Sequence, residues 1–356
     1  MKLRMTCMIF LIFSLAAHTA LAAGDVTARK VSGKVTYRVG AQLNYLVLPK
    51  GGALAEGSWV RTGDDGWVEL ALPDGSSITI ANNSELGLNR LNMGKEKREG
   101  LFNLAQGKLR ANVVKLAGKQ ANIRIKSGTA VAGVKGTDFL MMTVGPANVF
   151  FGNEGNVAVS GTGKEVKLMK AGTMTQTTRG YEPLEPLKVE PGTPLADAKA
   201  AFNTITGVTP PPDWLAGDAL PAIIARWNVN YGHYLADRGS YQEALRVFQI
   251  AIDLTQTAEI RADAWLERGT VQGRFLENPR AALAEFLLVL EEYPRLPQAE
   301  IALFNVSQTL YELKIYDQAA SRLRQYLSTY PTGRYRSTSE TLLNAITSQK
   351  DDGGGK

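Results

Sequence analysis

The sequence predicts a multidomain chain: an all-β sandwich or roll, followed by an all-α domain of stacked helix–turn–helix repeats. Three observations predict it. Residues 25–180 alternate apolar and polar side chains in short runs separated by Gly, Asn and Asp. Residues 222–349 carry one helical pattern three times over. Between them, residues 181–221 hold eight of the fifteen prolines, including Pro210-Pro211-Pro212. Proline fixes φ and keeps a segment extended, so this part reads as a linker or as a strap laid along a domain.

Ahead of the first strand, Lys2 and Arg4 precede an apolar run from Met5 to Ala17, and Ala20-Leu21-Ala22 follows. A basic start, a short apolar core and a small-x-small site are the marks of a secretory signal peptide over residues 1–22. The run is short for a membrane span, and no second run of 18 apolar residues follows. Cleavage near Ala22 removes Cys7, the one cysteine of the chain. The mature chain then has no disulfide, no thiolate nucleophile and no thiolate metal ligand. An exported chain without disulfides suits a bacterial periplasm.

The strand signals are local and recur. Val68, Leu70 and Leu72 alternate with Glu69 and Ala71; Asp74-Gly75 follows, then Ile78-Thr79-Ile80. An Asp-Gly pair tolerates the positive φ of a tight turn, so these residues predict a hairpin with one buried face. Leu109, Ala111 and Val113 after Gly107, Ile123 and Ile125, and Val157 and Val159 repeat the alternation. Strands this close together, with turn residues between, predict a sandwich, barrel or roll.

The helical signal is a repeat. Ala244, Ala282 and Ala319 are spaced by 38 and 37 residues, and Pro294 and Pro331 by 37. Ser240 with Glu243 is a capping-box pattern, and Asn278-Pro279 offers a cap followed by proline at the first helical position. Pro297 opens a helix in the same way. Leu342, Leu343 and Ile346 share one face of a last helix that closes the stack. Residues 350–356, with three glycines, predict a disordered tail.

These helical units resemble tetratricopeptide repeats, in which a small residue in the first helix faces an aromatic in the second. Unit one offers Gly232, Ala244, Phe248 and Ala251; unit two, Gly269, Ala282, Phe286 and Pro294, with one extra residue between its helices. Unit three offers Ser307, Ala319, Tyr326 and Pro331, with Leu323 in place of the aromatic. The β region resembles the FecR-type domain of bacterial envelope proteins over residues 31–178. The residues that carry this likeness are Gly57 to Gly63, Pro73 to Ser76, Leu104 to Leu109, Val134 to Phe139, Gly155 to Val159 and Lys170 to Gly172. That resemblance implies an envelope adaptor. The anti-sigma regulators of the family place a cytoplasmic segment and a membrane helix before the domain. Here a signal peptide stands there, so a transmembrane anti-sigma role is not expected.

Charge divides along the same line. Residues 25–180 carry 21 Lys+Arg against 12 Asp+Glu, and residues 181–356 carry 17 against 22. A basic domain in an envelope compartment attracts acidic glycans, peptidoglycan, lipid headgroups or acidic proteins; nucleic acid is not an expected partner of an exported chain.

Catalytic patterns are weak. Beyond the signal segment the only histidine is His233, too few for a His-based metal site, and there is no Gly-x-Ser-x-Gly turn to present a serine. Gly161-Thr162-Gly163-Lys164 lacks the spacing of a phosphate loop. Asp64, Asp65 and Asp74 sit where aspartate supports turns, and Gly133, Gly136 and Thr137 read as fold residues. No cofactor or metal is expected, and no enzyme. The candidate site is the inner face of the first repeat helices, where Asn230 and His233 in unit one correspond to Asn305 and Gln308 in unit three, with Arg226 supplying charge. Amides there can bond the backbone of an extended peptide. The expected function is a periplasmic, non-catalytic scaffold that holds a protein partner through its repeats. Its β domain would bind a glycan, a membrane surface or a second protein. A sensory input subunit and a cell-wall glycan enzyme are the alternatives.

Overall fold

A computed structural model of the chain describes residues 26–42, 44–93, 97–115, 120–163, 165–207 and 219–353. Residues 1–22, expected from the sequence to be a signal peptide, Pro210-Pro211-Pro212 and Lys164 lie outside the described residues. The β region is a sandwich of two sheets, and the long strand β9 (Lys97–Asn112) belongs to both. In the first sheet, β1 (Val26–Ser32) lies between β4 (Ala53–Leu54) and β6 (Trp67–Ala71). The order continues through β7 (Ser77–Ile80), the second half of β9, β12 (Asp138–Val144), β13 (Ala147–Glu154), β16 (Thr173–Thr177) and β17 (Leu187–Lys188), all antiparallel.

In the second sheet, β2 (Val35–Val39) lies between β3 (Leu46–Val47) and β5 (Ser58–Thr62). Next come β8 (Glu85–Met93) and the first half of β9. Beyond β9 run β10 (Gln120–Lys126), β11 (Val131–Val134), β14 (Asn156–Ser160) and β15 (Val166–Lys170). Among the described residues, the β9–β10 pairing is the one parallel pairing in this sheet.

The strand β9 passes between sheets near Gly107, whose φ is +99°; a Cβ there would fall 2.1 Å from Ser84 Oγ, so the crossing admits only glycine. The hairpin at Asp74-Gly75 forms, with Leu70 opposite Ile78, but both of its faces are buried and not one: Trp67, Glu69 and Thr79 are covered as well as Val68, Leu70 and Ile78. Asp74 accepts hydrogen bonds from Ser76 N (2.8 Å) and Ser76 Oγ (3.0 Å) and pairs with buried Arg98 at 2.9 Å. It is a turn residue anchored to the core. Leu109, Ala111, Ile123, Ile125, Val157 and Val159 all face the inter-sheet core with Phe102, Phe139 and Phe150.

The helical region has eight helices among the described residues. The first, α1 (Pro194–Ile205), precedes the repeats. Unit one is α2 (Leu220–Asp237) with α3 (Tyr241–Leu254); unit two is α4 (Ala258–Thr270) with α5 (Pro279–Glu292); unit three is α6 (Gln298–Glu312) with α7 (Tyr316–Thr329). The closing helix is α8 (Arg336–Gly353), which reaches into the segment whose glycines predict a tail. It buries Ile346 against unit three, with Leu342 and Leu343 beside it.

The repeat packing follows the expected small-to-large rule. A Cβ on Gly232 would lie 2.5 Å from the Phe248 ring, and one on Gly269 2.4 Å from Phe286, so each glycine is what lets its unit close. Asn278 caps α5 through Ala281 N at 3.2 Å. The Ser240–Glu243 capping box does not form: Ser240 sits at φ −83°, ψ 55°, away from the extended cap conformation, and its side chain makes no cap bond.

The proline-rich stretch is packed along part of its length. Leu184 N donates to Gln176 O at 3.0 Å, β17 extends the first sheet, and α1 begins after Thr193, whose hydroxyl accepts from Ala196 N at 3.3 Å. Leu195, Ala198, Ala201, Phe202 and Ile205 of α1 are buried. They lie on the outer face of the first sheet, where Leu140, Met142, Val149, Phe151 and Met174 form one core with α1, α2 and α3. Phe151 and Phe202 meet edge to face, ring centroids 6.3 Å apart. Each Phe so buried contributes about 1.5–3 kcal/mol.

Alternate residues of β12 therefore serve two cores: Phe139 and Met141 point between the sheets, Leu140 and Met142 toward the helices. Polar groups lock the same interface. The Gln176 and Asn228 amides, both fully buried, exchange two hydrogen bonds of 2.5 and 3.0 Å. Thr178 Oγ1 donates to Asp253 (2.6 Å), and Lys199 Nζ to Gly152 O (2.7 Å).

An Asn228→Leu change leaves the Gln176 amide buried without a partner, at a cost of about 1–3 kcal/mol. Urea denaturation of that variant should show a lower midpoint at constant slope, and the double variant Gln176→Leu, Asn228→Leu should recover most of the loss. Equal losses for the single and double variants would mean the pair is not a unit.

Candidate functional site

The first helices of the three units, α2, α4 and α6, pack side by side, α2 on α4 and α4 on α6. Polar groups run across this layer. Arg226 of α2 pairs with Asp263 of α4, and Asp263 in turn accepts from Gln298 Nε2 of α6 at 2.7 Å. His233 Nδ1 lies 3.3 Å from Glu267 of α4, and His233 Nε2 lies 3.6 Å from Asp237. Deeper in, Arg268 and Glu285 pair at 3.0 Å and join α4 to α5. Burial pushes the Glu285 carboxyl up, and the Arg268 charge opposes it.

The five residues singled out from the sequence thus divide. Arg226 and His233 tie unit one to unit two, and Asn230 stands exposed between them on α2. Asn305 and Gln308 line a hollow of about 320 Å³ between units two and three. Its apolar wall is Phe286, Ile301 and the stacked pair Phe304 and Tyr335, whose ring centroids are 4.2 Å apart. Its polar rim holds Arg274, Thr309 and Glu312, and Gln308 Nε2 donates to Glu312 at 3.1 Å. Gly269 and Gly273 also line it.

Arg274, Phe304, Tyr335 and Glu312 were not picked out from the sequence. The signal for Arg274 is the extra residue of unit two. It is absorbed as a π-helical turn, Val271–Phe275, that continues α4, with Leu276 N donating to Val271 O at 3.1 Å. Such turns accommodate single insertions within helices and recur at functional sites. This one carries Gly273 and Arg274 to the hollow. With amides, a guanidinium, a carboxylate and an aromatic wall, the hollow can bond a peptide backbone and bury one apolar side chain.

The described residues hold no group of three or more His, Cys, Asp or Glu able to bind a metal ion. Among them, no helix is long and apolar enough to cross a membrane. Asp64 and Asp65 are engaged in their turn, Asp65 Oδ1 accepting from Lys34 N at 3.0 Å and Asp64 Oδ1 from Asp65 N at 3.0 Å. Gly136 has φ +65°, and a Cβ there would meet Lys115 at 2.5 Å, as befits a fold residue.

Residues 58–158 match the model of the FecR protein family. Over these residues the β region is similar to that family. The matched residues run from β5 to β14 and so span the crossover strand β9. Among solved structures, a candidate anti-sigma factor from Parabacteroides distasonis is 15% identical, with a TM-score of 0.34. The alignment covers 41% of this chain and 64% of that one, so the chain spans under two thirds of that protein's length. The C-terminal TPR-containing domain of a candidate FK506-binding protein from Plasmodium falciparum is 13% identical, with a TM-score of 0.33, covering 39% and 96%. PilF of Pseudomonas aeruginosa is 19% identical, with a TM-score of 0.30, covering 47% and 80%. No curated protein matches the chain.

The histidine link between units one and two carries a pH dependence. The hydrogen bond to Glu267, then its charge and that of Asp237, raise the His233 pKa above its ordinary 6.5. Its stabilisation is therefore complete below about pH 6.5 and is lost as pH rises through the higher folded value. Melting temperatures should fall modestly on going from mildly acidic to mildly alkaline buffer, and His233→Gln should flatten that slope. An unchanged slope in the variant would assign the dependence to other groups.

Proposed function

We propose that the chain is a non-catalytic binding protein of the bacterial cell envelope, whose repeats hold a segment of a protein partner in the hollow between units two and three. The observation that carries this reading is the hollow itself. It is open, walled by Phe286 and the Phe304–Tyr335 stack, and rimmed by Asn305, Gln308 and Arg274. Small apolar clefts with a few convergent polar groups are the usual form of a recognition site. Helical repeats and a FecR domain in one chain point the same way, toward protein interaction. The N-terminal sequence, with its basic start, apolar core and Ala20-Leu21-Ala22, supports export to a periplasm. The β domain is read as a second contact, to a glycan, a membrane surface or another protein.

A sensory reading has one observation of its own. Gln176 of the sandwich and Asn228 of the repeats are bonded in a buried interface, so a change at one domain has a rigid path to the other. Binding is the simpler account, because each surface then acts by contact alone.

The test is crosslinking in living cells, followed by capture and mass spectrometry. It compares the intact chain with a variant carrying Asn305→Ala, Gln308→Ala and Arg274→Ala. A specific protein should be recovered with the intact chain and lost, by about tenfold or more, with a variant of unchanged melting temperature. Equal recovery from both would remove the hollow as the site.

A further inference from the structure

The first sheet has its outer face covered by helices; among the described residues nothing covers the outer face of the second sheet over β10, β11, β14 and β15, where Arg124, Val166 and Leu168 are exposed. Its inward residues, Ile123, Ile125, Val157, Val159 and Met169, are buried in the inter-sheet core. The alternate residues therefore point outward. Register places Arg124 of β10 opposite Gly133 of β11, Gly133 opposite Ala158 of β14, and Ala158 opposite Leu168 of β15. In a neighbouring row Asn156 faces Lys170. The two small residues at the centre leave a hollow of about 460 Å³, with Asn122, Arg124, Lys135, Asn156 and Leu168 around it and Lys115 at one end. A Cβ on Gly133 would meet nothing closer than 3.8 Å, so the space above it is real.

The electrostatics of the hollow are one-sided. Lys115, Arg124 and Lys135 are all exposed, and no carboxylate lines the hollow with them. Glu99, which lies opposite Asn122 in the sheet, already has a partner. Three cations around a concave floor focus a positive field. Interleaved amides supply both donors and acceptors. Leu168, 55% exposed, offers an apolar ledge at the side.

We propose that this cleft binds an acidic glycan, its carboxylates on Arg124, Lys135 and Lys115, its hydroxyls on Asn122 and Asn156, and a ring face on Leu168. A flat lipid surface would meet the cations but not the floor at Gly133 and Ala158. A polysaccharide strand carries both the charge and the depth. The inference rests on reading the β domain as a binding module, and it is independent of the repeat hollow.

The experiment is calorimetric titration of the purified chain with a polygalacturonate oligosaccharide. Neutral dextran oligosaccharide and phosphatidylglycerol vesicles serve as the comparison probes. Binding to polygalacturonate that weakens with salt is expected, and none to dextran. The pair Arg124→Gln, Lys135→Gln should weaken it by about tenfold or more. Gly133→Leu, which removes no charge and fills the floor, should do the same. Ala158→Leu is the second filling variant should Gly133→Leu melt early. The Asn305→Ala, Gln308→Ala variant should bind as the parent does, which separates this cleft from the repeat hollow. Full affinity in both filled variants would reduce the cleft to a diffuse basic surface and overturn the site. Binding to vesicles but not to polygalacturonate would make the face a membrane contact, and binding to none of the probes would also overturn the proposal.

Discussion

The structure depends on one burial: the outer face of the first sheet under α1, α2 and α3. Leu140, Met142, Val149, Phe151 and Met174 form an apolar surface on a strand face that in an isolated sandwich would meet water. An exposed patch of that kind marks an interface, and here the same chain covers it. The covering begins with the segment after β16, which adds β17 to the sheet edge and then lays Phe202 against Phe151. The first repeat unit follows, and its Asn228 fixes the register of the docking by bonding Gln176. A buried amide pair of this sort disfavours any slipped arrangement, since slippage would leave both amides unsatisfied.

That burial explains which surfaces remain for function. One sheet face is spent on holding the helices, so the sandwich presents only its second sheet outward, with the basic cleft over Gly133 and Ala158. The first helices of the repeats bury one face in the core and leave the other exposed, as at Asn230. Within that layer two ion pairs join neighbouring units, Arg226 with Asp263 and His233 with Glu267. The hollow at units two and three is where amides and an aromatic wall converge instead. The two hollows sit on a single docked body, so they are held at a set separation.

Much of this was legible in the sequence because the period of apolar residues is a local signal. Val68-Glu69-Leu70 announces a strand, and Ala244, Ala282 and Ala319 announce the repeat, whatever lies around them. The Gly232–Phe248 and Gly269–Phe286 pairs could be named before they were seen touching. The docking is not a local signal. Phe139-Leu140-Met141-Met142 and Val149-Phe150-Phe151 are continuous apolar runs, the pattern of strands buried on both faces. They said that something covers the sheet without saying what. Likewise Leu195, Ala198, Phe202 and Ile205, after Thr193-Pro194, have helical spacing and a cap, but the surrounding prolines drew attention to extended chain. Of the site, Asn305 and Gln308 were accessible through the repeat alignment. Arg274 was not, because a π turn moves it out of register, and Tyr335 was not, because it enters from the segment beyond the third unit.

The measurement that tests the docking most directly is calorimetric unfolding of the full chain beside a Phe202→Ala variant. If the covered sheet face makes sandwich and repeats one cooperative body, the intact chain melts in a single transition. The variant then shifts that whole transition downward, by an amount matching loss of a buried Phe, about 3–5 kcal/mol. Two separate transitions in the intact chain, with only the one belonging to the helices moved by the substitution, would contradict it.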